Sequence, residues 1–377
     1  MNKRALIAMS GGVDSSVAAA LMCEKGYECI GATMKLYHNE DVGVPREHTC
    51  CTLEDVEDAR DVAFSLNMPY YVFNFTDDFA GQVIDRFVSA YENGATPNPC
   101  IDCNRYMKYD KLYRRAKIME CDTIVTGHYA RIEYDSGTGR WLLKKARNLA
   151  KDQSYVLYFM TQEQLKHTQF PLGEFSDKDE VRDIAAKYRF VNAKKHDSQD
   201  ICFVQNGKYA DFIEHYTGKN YPSGSFVDLQ GHPLGRHKGM IRYTIGQRKG
   251  LGLSLPAPMY VCRKCPEDNT VVLSSEQELY TAELIADDFN WIIEAPEQLL
   301  RVTAKTRYGA KEADALATVL PNRTVRVVFN EPQRAVTKGQ AVVLYDGDIV
   351  VGGGTICQAL CLTGDNPLYP NSRTKLM

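Results

Sequence analysis

Three observations predict an α/β chain: a doubly wound parallel sheet followed by a small mixed α/β domain and a C-terminal antiparallel β-barrel. Short apolar runs alternate with segments of helical period from residue 5 to residue 128, the pattern of successive β-α units. Glycines and short β patterns crowd residues 207–282. From 283 onward, strand-like runs such as 301–308, 324–329, 341–345 and 349–351 are separated by turns such as Tyr345-Asp-Gly-Asp. A chain of 377 residues exceeds one ordinary core, and the pattern divides it into 1–206, 207–282 and 283–377.

Taken in order, residues 5–9 are apolar enough for a central strand, and the helix that begins around Val17 is reached through Ser10, Gly11, Gly12, Val13, Asp14, Ser15 and Ser16. The two glycines let backbone approach a ligand, and the free N–H groups of the helix start would point at an anion. The serines add hydroxyl donors, and Asp14 is a candidate helix cap or magnesium ligand. There is no Gly-Lys-Ser/Thr ending for a Walker loop and no third spaced glycine for a dinucleotide fingerprint. A strand over 28–37 and a polar insert ending in Cys50-Cys51 come next. The helix from Leu53 sets Val56, Ala59, Val62, Ala63 and Leu66 on one face, ahead of a buried strand over 70–75 and a helix over 77–92. Pro97 and Pro99 argue against regular structure in 94–105 and for a turn that presents Cys100 and Cys103. A basic helix over 106–120 leads to a short strand ending in Gly127-His128, at the carboxyl edge where ligands of doubly wound sheets sit. A hairpin over 131–146, a helix capped by Ser176, and a loop or edge strand over 197–203 complete the first domain.

Composition (44% hydrophobic, 25% charged) is that of a soluble globular enzyme, and no apolar run is long enough to span a bilayer. The expectation is a cytoplasmic protein without membrane partners, since Met1-Asn-Lys-Arg4 runs directly into the first strand. Twelve cysteines in a reducing compartment point to catalytic or metal-binding roles for some of them. A helix beginning near Arg105 would favour a thiolate at Cys103, whereas Asp197 and Asp200 would disfavour one at Cys202, which suits a persulfide carrier better. Cys100, Cys103, Cys262 and Cys265 form two C-x-x-C pairs that a zinc ion would have to bring together. The net charge of −3 decides nothing about RNA, but Arg105, Lys108, Lys111, Arg114, Arg115 and Lys117 load one helix. Arg236, Lys238, Arg242, Arg248 and Lys249 form a second cluster, and Tyr106, Tyr109, Tyr243 and Tyr308 are candidate stacking platforms for bases.

The run Ser-Gly-Gly-Val-Asp-Ser-Ser resembles the pyrophosphate (PP) loop of ATP pyrophosphatases, of the adenine nucleotide alpha hydrolase-like fold. Thr-Pro-Asn-Pro-x-x-x-Cys-Asn, Thr-Gly-His-Tyr-Ala, Lys-Asp-Gln-Ser-Tyr, Asp-Ser-Gln-Asp-Ile-Cys-Phe and Gly-Gln-Arg-Lys-Gly-Leu follow in register. Together they resemble the bacterial tRNA-specific 2-thiouridylases over nearly the whole chain. The resemblance implies that ATP adenylylates the C2 oxygen of a wobble uridine and that a persulfide sulfur displaces AMP. It implies Cys103 as nucleophile and Cys202 as persulfide carrier, transiently paired as a disulfide, and Ala8, Met9, Ser10, Gly11, Gly12, Val13, Asp14, Ser15, Met34 and Gly127 as ATP contacts with Mg2+. Asn98, Pro99 and Cys100 would meet the target base. His128, Lys151, Asp152, Gln153, Arg307, Tyr308 and Gln340 would meet tRNA, and a sulfur-relay carrier or cysteine desulfurase would supply the persulfide.

Many members of that family carry Asp at the position of Cys100. A third cysteine opens the alternative of a [4Fe-4S] cluster on Cys100, Cys103 and Cys202, as in related tRNA thiolases. A synthetase that adenylylates a small molecule would leave the cysteine motifs without a use. A non-catalytic nucleotide or RNA-binding module would not need an intact loop.

Overall fold

The computed structural model describes residues 3–38, 53–195, 201–204 and 207–361, so Cys50, Cys51 and residues 197–200 lie outside it. Its first sheet contains β1 (Arg4–Ala8), β2 (Glu28–Lys35), β3 (Tyr70–Asn74), β4 (Thr123–Val125) and β7 (Thr168–Gln169). They are parallel throughout, in the order β3-β2-β1-β4-β7. Strand order reverses between β1 and β4, which makes the carboxyl end of that pair the crevice for a ligand. β1 shows the period of two that a doubly covered strand requires: Ala5 and Ile7 enter one core cluster and Leu6 the other.

Helices cover both faces. α1 (Val13–Glu24) begins at Val13 rather than Val17, so residues 13–16 already belong to it. α2 (Leu53–Ser65) follows β2 in the described chain. Thr76–Phe79, Ala80–Ile84 and Asp85–Glu92 run on as one helix, α3. Pro99–Asp102, Cys103–Leu112 and Tyr113–Ile118 form a second, α4. This corrects the reading of 94–105 as irregular and of the helix as starting near Arg105. Proline at the first helical position forfeits only an N–H that has no intrahelical partner, and the Asn98 side chain caps the end by accepting from the Cys100 amide at 3.1 Å. Two further expectations are corrected. β3 is an edge strand with Tyr71 and Val72 each 47% exposed, not a buried one. The helix after residue 176, α6 (Lys178–Lys187; α5 is Gln162–Lys166), is capped by Asp177 in a reciprocal box with Glu180, not by Ser176.

The second unit opens with α7 (Tyr209–Thr217) and holds β8 (Gly224–Val227), β9 (Pro233–His237), β10 (Tyr260–Cys265) and β11 (Thr270–Ser274), ordered β10-β11-β8-β9. Phe226, Val261, Val271 and Leu273 fill its core.

The third unit is a closed antiparallel barrel of β12 (Tyr280–Trp291), β13 (Leu300–Lys305), β14 (Ala313–Val319), β15 (Val325–Arg334), β16 (Ala341–Asp346) and β17 (Ile349–Cys361). Pairing of β12 with both β15 and β17 closes it and leaves no free edge between them. β12 starts at Tyr280, ahead of the expected 283. The hairpin of β5 (Ala130–Asp135) and β6 (Arg140–Lys145) joins this sheet through Lys144 opposite Ile349, although it was expected within the first domain.

The barrel is welded to the first unit. Ala341, Val343, Tyr345 and Val350 share a core cluster with Leu6, Met107 and Ile124, and the Tyr155 hydroxyl donates to the Ala341 carbonyl at 2.8 Å. No helix of the described residues is long and apolar enough to cross a membrane.

Candidate nucleotide and thiol site

At the carboxyl end of β1 the chain turns through Ser10, Gly11 and Gly12 into α1. Gly11 has φ of +74°, and a Cβ there would lie 2.4 Å from the Asp55 carbonyl oxygen, so glycine is required on two grounds. Gly12 stands at the N-cap without a side-chain cap, which leaves the first amides of α1 for an anion. The hydroxyls brace the turn from within: Ser15 Oγ and Ser16 Oγ each donate to the Gly12 carbonyl at 3.0 Å, and the Ser10 amide donates to Ser15 Oγ at 3.2 Å. Met9 is buried, its carbonyl accepting from Thr33 Oγ1, while Ala8 and Met34 are half-buried at the strand ends beside it. Gly127 closes the crevice from β4, for a Cβ on it would come within 2.8 Å of Asp14 and Ser15 backbone.

Asp14 does not cap its helix. Both of its oxygens accept from Lys178 Nζ, at 2.7 and 2.9 Å, and Oδ1 also accepts from the Tyr129 hydroxyl at 2.9 Å. Asn192 Nδ2 donates to the Gly11 carbonyl at 2.8 Å and to Ser16 Oγ at 3.0 Å, and Lys195 bridges Asp55 and Asp58 behind the loop. These three side chains, Lys178, Asn192 and Lys195, escaped the sequence reading. Their one signal was a set of polar residues just upstream of the Cys202 motif.

Cys100 lies exposed on the first turn of α4, and Cys103 is half-buried one turn on, against the core. Because α4 starts at Pro99, its N-terminal field favours an anion at Cys100 more than at Cys103, a second correction to the expected source of activation. Cys202 packs on the same core cluster as Cys103. It is held by its neighbour Phe203, edge-on to Phe79 and Phe87, and by the Tyr37 hydroxyl, which donates to the Cys202 carbonyl at 2.8 Å. Tyr37 lies just past the end of β2, so Cys202 sits beyond the carboxyl edge of the strand beside β1. The nucleotide crevice and Cys202 therefore share one edge of the sheet, and Cys103 packs on the same core cluster as Cys202.

The expected RNA contacts divide. His128 is buried, with Nδ1 2.7 Å from Thr126 Oγ1 and 3.4 Å from the Tyr109 hydroxyl. Burial, helped by Lys108, holds its pKa well below the usual value, so it is neutral at pH 7. Asp152 accepts from the Ala146 amide and the Ser154 hydroxyl, Gln153 from the Tyr129 amide, and Gln340 donates to the Thr96 carbonyl: these side chains tie loops together. Lys151 is half-buried and Arg307 exposed. Tyr308 is 44% exposed, and its hydroxyl donates to the Asp152 carbonyl at 3.3 Å. Its pKa is raised by burial and then by Asp152 and Cys100, and its ring meets that of Tyr155 edge-on at 6.0 Å.

Tyr109 and Tyr243, 0% and 4% exposed, are core residues and not platforms. On α4, Arg105, Lys111, Arg114 and Lys117 pair with Asp288, Asp78, Asp110 and Glu163, so that face is largely neutralised. Arg242 pairs with Asp211 and Glu214, whereas Arg236, Lys238, Arg248 and Lys249 stay exposed on the second unit.

Metal sites fare poorly. Among the described residues no three His, Cys, Asp or Glu side chains gather as a metal site. Cys100 is exposed whereas Cys103 and Cys202 are half-buried against the core, and among the described residues neither these three nor the C-x-x-C pairs form such a group for a [4Fe-4S] cluster or for zinc. Asp14, neutralised by Lys178, does not fit a magnesium ion of its own.

The family described as tRNA methyl transferase HUP domain matches residues 3–206, its PRC-barrel domain matches 210–275, and an aminomethyltransferase beta-barrel domain matches 281–356. The tRNA-specific 2-thiouridylase MnmA of Clostridioides difficile (strain 630) is 51% identical over 361 residues, 96% of this chain and 99% of its own. The protein of that name from Acetivibrio thermocellus is 53% identical over 356 residues, 94% and 99% of the two chains. The one from Caldicellulosiruptor saccharolyticus is 52% identical over 362 residues, 96% and 100%. Among solved structures, NMN synthetase from Francisella tularensis aligns over 58% of this chain and 78% of its own at 15% identity and a TM-score of 0.32, too slight a likeness to bear on the fold.

Proposed function

The chain belongs to the family of tRNA-specific 2-thiouridylases, and from that premise we propose how its residues carry out the reaction. It is a transferase that places sulfur at C2 of a uridine in tRNA. The family descriptions speak of methyl transfer, but a pyrophosphate loop with Cys202 on the same sheet edge and Cys103 on the same core answers to thiolation, which needs an activated oxygen and a sulfur donor.

In the proposed course, ATP lies at the open N-terminus of α1 with its phosphates on the amides of residues 12–15. Magnesium bound with the ATP would offset charge on the phosphates, with no dedicated carboxylate from Asp14 to hold it. Lys178 and Tyr129 hold Asp14 so that its charge does not repel the phosphates. The C2 oxygen of the wobble uridine attacks the α phosphorus, pyrophosphate leaves, and the uridine carries AMP at C2. The terminal sulfur of a persulfide on Cys202 attacks C2 and AMP departs with the oxygen. The Cys103 thiolate then attacks Cys202 Sγ and breaks the sulfur–sulfur bond, which leaves a thiocarbonyl on the base and a Cys103–Cys202 disulfide. A thiol reductant resets the enzyme.

Asn98, Pro99 and Cys100 would border the base, and residues 1–206 would form the catalytic domain. The exposed basic cluster of 207–282 and Arg307 and Tyr308 of 283–377 would grip the tRNA. The persulfide would come from a cysteine desulfurase or a relay carrier, in the cytoplasm.

The observation that carries this reading is the sharing of one sheet edge by the open helix end and Cys202. The test is incubation with ATP, magnesium, unmodified tRNA and a persulfide donor, followed by nucleoside mass spectrometry. The reading predicts 2-thiouridine formed one for one with AMP and pyrophosphate. AMP released without tRNA and without 2-thiouridine would refute it in favour of a small-molecule synthetase.

A further inference from the structure

The barrel reaches into the thiol site. Pairing of β12 with β17 slips between Asp287 and Asn290, and within that bulge Asp288 adopts φ of +44°, a left-handed conformation that residues with a Cβ seldom take. The bulge aims the Asp288 carboxylate at α4, where Arg105 holds it through both terminal nitrogens. Two residues on, Asn290 Nδ2 donates to the Tyr158 and Met160 carbonyls at 2.7 and 3.1 Å and fixes the bulge against the first unit.

Arg105 follows Cys103 by two residues. Its guanidinium and that of Arg86 both lie over the Tyr106 ring, at 5.6 and 5.2 Å, and Asp102, immediately before Cys103, faces Arg86 at 3.5 Å. A second grip lies upstream of the helix cap. The Thr96 amide donates to the Lys338 carbonyl at 2.9 Å, and the Thr96 carbonyl accepts from Gln340 Nε2 at 2.7 Å. The first turns of α4, with Cys100 and Cys103, are thus held on both flanks by the barrel.

The helix itself leaves this point loosely determined. Cys103 is the first residue of a stretch wound as a π-helix, through Leu112, where the Tyr113 amide reaches back five residues to the Lys108 carbonyl. At such a change of winding the backbone ladder constrains rotation less than in a regular helix, and outside contacts decide where the side chain stands.

We propose that Asp288 is a positioning residue for sulfur transfer: through Arg105 it fixes the rotation of the first turns of α4 and so sets where the Cys103 thiol stands for its attack on Cys202 Sγ. The barrel then belongs to the chemistry as well as to tRNA binding. The proposal rests on the assignment of Cys103 as the attacking thiol, and the experiment separates the two.

Full-length Asp288→Ala, Asp288→Asn, Arg105→Asp and the swapped pair Arg105→Asp/Asp288→Arg are compared with Cys103→Ser. The readouts are kcat and KM for tRNA in thiolation, and tRNA-dependent pyrophosphate release. Asp288→Ala is expected to lower the kcat of thiolation by about 10- to 100-fold, the effect of a misplacement near 1 Å, with KM and pyrophosphate release within about twofold of wild type. Asp288→Asn, which keeps a hydrogen bond, retains part of the rate, and the swap recovers about tenfold over Arg105→Asp alone. Wild-type kcat in Asp288→Ala overturns the proposal, as does a loss of all steps together that the swap does not rescue. A fully active Cys103→Ser overturns the assignment of the thiol itself, whatever Asp288 does.

Discussion

The nucleotide half of the site and its thiol half are built in opposite ways. Residues 8–16 supply strand end, turn, open amides and hydroxyls in one unbroken run, and the remainder of the molecule only braces them, through Lys178, Asn192 and Gly127. The thiol half has no such run. Cys103 comes from α4, Cys202 from the turn after residue 200, and their settings from Tyr37, Phe203, Asp288 and Gln340, spread over two units of the fold. A contiguous site is fixed by local geometry and fails when one residue is changed. An assembled site is fixed by packing and degrades by degrees.

The sharpest blow to that contrast should fall on the loop. Gly11→Ala adds a methyl 2.4 Å from the Asp55 carbonyl oxygen at a positive φ, so the turn must open. The expected outcome is a loss of pyrophosphate release of about 100-fold or more, with several kcal/mol of stability lost on thermal melting. Near-normal pyrophosphate release in this variant would mean that the loop is not the phosphate cradle. The Asp288 series comes next, with its smaller and swap-rescuable effect.

The mildest prediction concerns Lys264, on β10, whose ammonium is buried over the Tyr91 ring with one long bond of 3.4 Å to the Ala95 carbonyl, just upstream of Thr96. Burial lowers its pKa to about 8. In the unfolded chain the group keeps its proton up to its ordinary pKa of 10.5. Between these values the unfolded state binds more protons, so stability rises with pH through the window, and below it the folded state carries the cost of a buried charge. Lys264→Met should therefore gain up to a few kcal/mol at pH 7, an advantage that shrinks as the pH climbs from about 8 to 10.5. A Met variant less stable than wild type at pH 7 would show that the ring and carbonyl contacts outweigh desolvation.

What the sequence made legible follows the same divide. The loop, the alternating strands and helices, and the C-terminal barrel could be read because each is carried by local pattern. The start of α4 was misread because prolines were taken as breakers, when Pro99 occupies the one helical position that tolerates it. β14 went unseen because its run Ala-Asp-Ala-Leu-Ala-Thr-Val is alanine-rich and carries β-branched residues only at its end, and β12 because the bulge at Asp287-Asp288 breaks its alternation. Tyr109 looked like an RNA platform only because nothing in sequence tells which face of α4 meets Phe159 and Phe170. Lys178 looked like a helix-start residue, and its grip on Asp14 spans 164 positions.

The central claim is that ATP activation and sulfur transfer are separate steps on one sheet edge, the second passing from Cys202 to the base with Cys103 as the resolving thiol. Cys103→Ser and Cys202→Ser, loaded with a persulfide donor and mixed with ATP and unmodified tRNA in a single turnover, test it most directly by protein and nucleoside mass spectrometry. The account predicts pyrophosphate release in both variants, sulfur held on Cys202 in Cys103→Ser only, as a persulfide before attack and as a Cys202–tRNA disulfide adduct after it, and free 2-thiouridine in neither. Wild-type 2-thiouridine formation by Cys103→Ser, or a persulfide that forms on Cys103 in place of Cys202, would contradict it.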